Sequence, residues 1–114
     1  MIYKTFDIVS VPFPFTDAAK NKKRPALVLS FPYPFHEETG HLLLAMITSR
    51  KNKPWVLDVP ISHLPTSGLK HDSVIRMKLF TLDIRFVLSK IGELSVSDQR
   101  QVKSSLQKLL KDFV

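Results

Sequence analysis

Pro25 constrains this chain more than any other single residue. It follows Lys22-Lys23-Arg24 and precedes the apolar run Ala26-Leu27-Val28-Leu29. A proline ring fixes φ, removes one backbone donor and disfavours the helical region for the residue before it, so Arg24 is held extended. A short apolar run bounded by charge on one side and by Ser30-Phe31-Pro32 on the other reads as a strand buried on both faces. Arg24 is then a guanidinium carried at the mouth of a rigid strand, the arrangement that suits phosphate binding. The plainer alternative is a solvated turn with a basic tint.

The rest of the chain punctuates itself in the same way. Ile8, Val9, Val11, Phe13 and Phe15 form a β-branched and aromatic run crossed by Pro12 and Pro14, which places its second half at an edge or a bulge. The polar segment 16–23, with Lys20, Lys22 and Lys23, makes a long basic hairpin loop of the kind that often carries function. Segment 31–40 holds two prolines and three aromatics and reads as an irregular loop. His41 to Ile47 reads as a central strand that delivers Thr48-Ser49-Arg50 at its end, and Trp55 to Val59 as the return strand. Segment 62–72 is a connector with room for one helical turn. Ser73 to Leu82 alternates, with Val74, Arg76 and Lys78 on one side and Ile75, Met77 and Leu79 on the other. A last short strand is expected over 85–91, closed by Gly92.

Only the C-terminus has helical periodicity. Ser95 with Asp98 resembles a capping box, and Val102, Leu106, Leu109, Leu110 and Phe113 form one apolar stripe opposite Arg100, Lys103, Lys108 and Lys111. Many short strands with one terminal helix, and no strand–helix–strand alternation, predict a mainly β fold: a small antiparallel sheet closed or nearly closed into a barrel. At 114 residues a single domain over 1–114 is expected.

Seventeen Lys and Arg against ten Asp and Glu give a net charge of +7, which favours polyanions and makes nucleic acid the first partner to consider. The cations are not gathered on one face of an amphipathic helix, and no apolar stretch approaches a membrane span, so no membrane partner is expected. Without cysteine there is no disulfide, thiolate metal site or cysteine nucleophile, in keeping with a cytoplasmic location. The four histidines, His36, His41, His63 and His71, are scattered and read as surface residues; no metal site and no cofactor are expected.

Chemistry therefore falls to strand ends. Arg24 begins one strand, Thr48-Ser49-Arg50 ends another and Arg76 lies on a third, so a curled sheet can gather guanidiniums and hydroxyls on one face. Such a set suits RNA cleavage by the 2′-hydroxyl, which needs a proton acceptor, a donor for the leaving oxygen and cations for the phosphorane. Hydroxyl residues also close strand ends by ordinary turn chemistry, which is the alternative for Thr48 and Ser49.

Several segments in order carry a family resemblance: Phe6-Asp7-Ile8-Val9 with Val11-Pro12-Phe13-Pro14-Phe15-Thr16-Asp17, then Lys23-Arg24-Pro25-Ala26-Leu27-Val28-Leu29, then Ala45-Met46-Ile47-Thr48-Ser49-Arg50. Ser67-Gly68-Leu69-Lys70, Asp72-Ser73-Val74, Thr81-Leu82-Asp83 and Ile91-Gly92-Glu93-Leu94-Ser95 extend it over nearly the whole chain. The set resembles the MazF/PemK family of toxins from bacterial toxin–antitoxin systems. The resemblance implies an SH3-like barrel with a C-terminal helix, a homodimer, and a metal-independent endoribonuclease that cuts single-stranded RNA. It also implies a cognate antitoxin whose acidic tail lies over the RNA groove. Carried over, the resemblance makes Arg24 a transition-state stabiliser and a candidate general acid, has Thr48 bond the scissile phosphate, and gives Ser49 and Arg50 adjacent RNA contacts. Arg76 falls where some members hold a second catalytic arginine.

Two departures stand out. Met77-Lys78 follows Arg76 where an acidic residue is common, and Phe6 replaces the glycine that usually precedes the first aspartate. RNA is further expected to meet Lys20, Lys22 and Lys23, and a base to stack on an aromatic side chain, with Trp55 taken first and Phe15, Phe31, Tyr33 and Phe35 as further candidates. The alternative classes are a basic barrel that binds nucleic acid or protein and cuts nothing, and, by analogy between related toxin barrels, a topoisomerase poison.

Overall fold

The computed structural model describes residues 2–13 and 22–113. Six antiparallel strands form one curled sheet: β1 (Asp7–Phe13), β2 (Lys22–Val28), β3 (His41–Ser49), β4 (Val59–Pro60), β5 (Ser73–Asp83) and β6 (Ser89–Glu93). Their order is β4-β5-β3-β2-β1-β6, a half-barrel backed by the C-terminal helix. Helical turns α1 (Glu37–Thr39) and α2 (Leu64–Ser67) interrupt the connections, and α3 (Val96–Leu109) ends the fold.

Side-chain alternation splits the core in two. Ile8, Leu27, Ala45, Ile47 and Ile75 point into the barrel and meet Leu94 and Val102, so α3 closes that side. Val9, Val11, Ala26, Val28, Leu42, Leu44 and Leu82 point the other way and are covered by Tyr3, Ile84 and Val87. Ala26 to Val28 is thus buried on both faces, as its unbroken apolar run predicts. The prolines lie where ladders stop. The β2–β3 ladder runs from Ala26↔Met46 to Val28↔Leu44 and does not reach Pro25. The β1–β6 ladder ends at Ser10↔Ser89, leaving Pro12 paired on one side only.

The helix cap differs in detail from a capping box. Ser95 Oγ accepts from the Asp98 amide at 3.3 Å, but the Asp98 carboxylate accepts from the amide and hydroxyl of Ser62 at 2.9 and 2.7 Å. The N-terminus of α3 is thereby tied to the connector after β4. Barrel closure beside it requires glycine: a Cβ on Gly68 would lie 1.8 Å from the Ile91 carbonyl oxygen, and one on Gly92 would lie 2.2 Å from that of Ser67. Phe6, where glycine was expected, holds φ at 75°, a left-handed conformation that costs a non-glycine residue about 1–2 kcal/mol.

Three expectations are corrected. Trp55 to Val59 is no return strand: residues 55–58 form a turn with Leu57 at φ 73°, and β4 keeps only Val59 and Pro60. Apolar, β-branched residues read as a strand there, yet the Asp58 side chain accepts from the Trp55 amide at 2.9 Å and folds the segment on itself. The final strand begins later, because Ile84 to Phe86 is a 3-10 turn capped by Asp83 and β6 runs through Gly92 to Glu93. Segment 31–40 contains two helical pieces rather than an irregular loop, fastened by His36, whose ring bonds Ser30 Oγ at 2.6 Å and the Tyr3 carbonyl at 3.1 Å.

Candidate functional site

The sheet face that buries Val9, Val28 and Leu44 continues past its apolar end into a groove of about 440 Å³. Alternation supplies the lining: Phe13 continues Val9 and Val11, Arg24 precedes Ala26 and Val28, and Arg76 and Lys78 precede Phe80 and Leu82. On β3 the alternation Leu42, Leu44, Met46, Thr48 runs unbroken and delivers Thr48 to the same groove, opposite Val74. The structure therefore brings together Arg24, Thr48, Ser49, Trp55 and Arg76, five of the residues singled out in the sequence.

Arg24 is exposed, and among the described residues no carboxylate or hydrogen-bond acceptor engages its guanidinium. Thr48 Oγ1 accepts a 2.6 Å hydrogen bond from Asn52 Nδ2, which leaves its hydroxyl proton free to donate. Ser49 Oγ accepts from the Lys51 amide at 3.2 Å and its carbonyl from the Asn52 amide at 3.1 Å, so the strand end is also a folded turn. Arg50 lies beyond this turn and lines an adjoining hollow of about 530 Å³ with Ser49, Lys51, His71 and Asp72.

Arg76 is the opposite of Arg24. Its Nε and terminal nitrogen donate to the two oxygens of Asp58 at 3.1 and 3.0 Å, and the same terminal nitrogen donates to the Lys53 carbonyl at 2.8 Å. Its guanidinium also stacks 4.9 Å from the Trp55 ring centre. A planar fork held this way is a fixed charge rather than a mobile one. Burial pushes the Asp58 carboxyl up, but hydrogen bonds from Arg76 and the Trp55 amide, with the charge of Arg76, hold it below its ordinary value. Asp58 is therefore ionised and fully engaged.

Sequence reading missed Asp58 because it sought a carboxylate on the strand of Arg76. The acid instead comes from the loop before β4, eighteen residues away in sequence. Asn52, His71 and Lys78 were also missed as groove residues. Lys78 caps the Phe13 ring at 5.4 Å, so two cation–aromatic pairs stand side by side along β5. Lys22 and Lys23 are exposed on β2 beyond the groove lining, and Lys20 lies outside the described residues. Among the described residues no three His, Asp or Glu side chains gather to hold a metal ion, and no helix is long and apolar enough to cross a membrane.

Comparison with known proteins agrees with this fold. A family model described as PemK-like, MazF-like toxin of type II toxin-antitoxin system matches residues 4–110. MazF from Deinococcus radiodurans is 25% identical with a TM-score of 0.73, over 97% of this chain and 98% of that one. A MazE–MazF structure from the same organism is 26% identical with a TM-score of 0.74, over 97% and 98% of the two chains. An endoribonuclease in complex with its cognate antitoxin from a mycobacterial species shares the fold at 14% identity and a TM-score of 0.73, over 96% and 94%. No curated protein matches the sequence significantly.

Proposed function

The chain belongs to the family of PemK-like, MazF-like toxins of type II toxin–antitoxin systems, and from that premise we propose that it is a metal-independent endoribonuclease that cuts single-stranded RNA. The observation that carries this reading is Arg24, an unengaged guanidinium beside the Thr48 hydroxyl in an open cationic groove. A pentacoordinate phosphorane gathers negative charge, and preorganised donors aimed at it lower the barrier most. In this reading Arg24 stabilises that charge and Thr48, oriented by Asn52, donates to a phosphate oxygen. Arg76 supplies a second, fixed cation. Ser49 and Arg50 hold the neighbouring phosphate in the hollow. Trp55 stacks a base, and Lys20, Lys22 and Lys23 raise the encounter rate.

The same groove would take the acidic segment of a cognate antitoxin, as the relatives with antitoxin partners suggest. A homodimer and a cytoplasmic location, where mRNA is made and translated, belong to the same proposal. A second reading is a barrel that binds RNA without cutting it. It is favoured by one observation: the nearby carboxylate, Asp58, is occupied by Arg76 and is a poor base.

Incubation of chelator-treated protein with a long single-stranded RNA separates the two. Discrete cuts ending in 2′,3′-cyclic phosphate, absent with Arg24→Ala, are expected from the nuclease. Binding without cuts supports the second reading.

A further inference from the structure

We propose that His71 takes the 2′-hydroxyl proton in RNA cleavage at this groove, an inference that rests on the ribonuclease reading above. Proton transfer needs a group whose free base exists at neutral pH and which can reach the ribose. Arginine and lysine hold their protons at that pH, and hydroxyl, amide and indole groups are too weakly basic to take one. Of the described side chains lining the groove, this leaves the imidazole of His71. Asp58 is excluded by its engagement with Arg76 on both oxygens.

Placement supports the assignment. His71 lines both the groove and the adjoining hollow, so it stands where a strand crossing from one to the other must pass. Its position is set through backbone: the Ser73 hydroxyl donates to the His71 carbonyl at 2.8 Å, and the Arg50 amide donates to the Asp72 carbonyl at 3.0 Å. Neither ring nitrogen has a partner among the described residues, whereas both ring nitrogens of His36 are occupied. The charged groups facing His71 are Arg50, Lys51 and Asp72 in the hollow and Arg24, Arg76 and Lys78 in the groove.

The step balances without a co-reactant. A neutral ring nitrogen of His71 accepts the 2′-hydroxyl proton, and the 2′-oxygen forms its bond to phosphorus. The bond from phosphorus to the 5′-oxygen breaks, its electron pair leaving on that oxygen. The imidazolium then returns the proton to the 5′-oxygen through water. The products are a 2′,3′-cyclic phosphate, a 5′-hydroxyl and neutral His71.

The test compares pH–rate profiles of wild type and His71→Gln, with affinity measured on the same RNA carrying a 2′-deoxy scissile nucleotide. His71→Gln is expected to lower kcat by about 10²–10⁴-fold, to leave that affinity unchanged, and to flatten the acid limb of the pH–rate profile that wild type shows. Added imidazole is expected to restore part of the activity of His71→Gly. A wild-type rate and pH profile in folded His71→Gln overturns the assignment while leaving the ribonuclease reading intact. RNA bound by wild type and never cut overturns the ribonuclease reading, and this one with it.

Discussion

The guanidinium of Arg76 and the carboxylate of Asp58 meet through two parallel hydrogen bonds of 3.1 and 3.0 Å, each side chain only 11% exposed. This pair clamps residues 53–58 against β5 and presents Trp55 to the groove. Breaking it from one side strands the other charge. Asp58→Asn is expected to lower stability by about 3 kcal/mol, the low end for a buried pair because some water reaches it. Urea unfolding at neutral pH measures this. The sign with pH follows from the depressed Asp58 value: the contribution is full above the unfolded carboxylate range and lost as pH falls through the folded value. The stability gap between wild type and Asp58→Asn should therefore close on acidification below about pH 4.

Trp55 is 46% exposed with Arg76 against its ring. Trp55→Ala is expected to weaken binding of a non-cleavable single-stranded RNA by about 1–3 kcal/mol, the worth of one stacked base. Trp55→Phe, which keeps a ring against Arg76, should retain most of that affinity. Equal losses in both variants would contradict a stacking role.

Gly92 lies against the backbone of Ser67, with a hypothetical Cβ 2.2 Å from its oxygen and 2.3 Å from its carbonyl carbon. Backbone cannot step aside as a side-chain tip can. Gly92→Ala should push α2 off β6 and destabilise the fold by about 3 kcal/mol or more, read as a lower urea midpoint. An unchanged midpoint would mean that the barrel closes by some other contact.

His36 is 5% exposed; Ser30 Oγ accepts from the Leu43 amide at 2.8 Å and donates its proton to His36 Nε2, while His36 Nδ1 donates to the Tyr3 carbonyl. Burial pushes its ring below the ordinary histidine value, against the pull of its hydrogen bonds to Tyr3 and Ser30. The folded state thus prefers the neutral ring. Stability should be level above about pH 6.5 and fall as pH drops from there to the folded value. Urea midpoints at pH 7.5 and pH 5, with His36→Asn losing the difference between them, check this.

Local pattern revealed most of the fold. The apolar run after Pro25, the strand ending in Thr48-Ser49, the alternation of Ile75, Met77 and Leu79 and the stripe through Val102 and Leu106 all occur as predicted. Each depends on burial periodicity, which a sequence displays directly. The stripe's last part, Leu109, Leu110 and Phe113, is exposed, Phe113 at 87%, because the core ends near Leu106. Trp55 to Asp58 misled for the converse reason: its residues look like a strand, but a side-chain pair from a distant strand folds it into a turn.

Arg24 and Thr48 could be placed at strand ends from sequence because proline geometry and strand ends are local properties. The difference in environment between two arginines could not be read from sequence. Arg24 is left open where the β2–β3 ladder stops, whereas Arg76 is bound by an acid that reaches it from another loop. His71 is exposed, as the sequence leads one to expect, and lines the groove where the Arg50 amide meets the Asp72 carbonyl at the end of β3, whereas His36, also read as a surface residue, is buried under Tyr3 and Ser30. Sequence determined which groups the protein carries and which segments bury them. Only tertiary structure decided which charges are neutralised and which face the groove, since that depends on contacts between residues far apart in the chain.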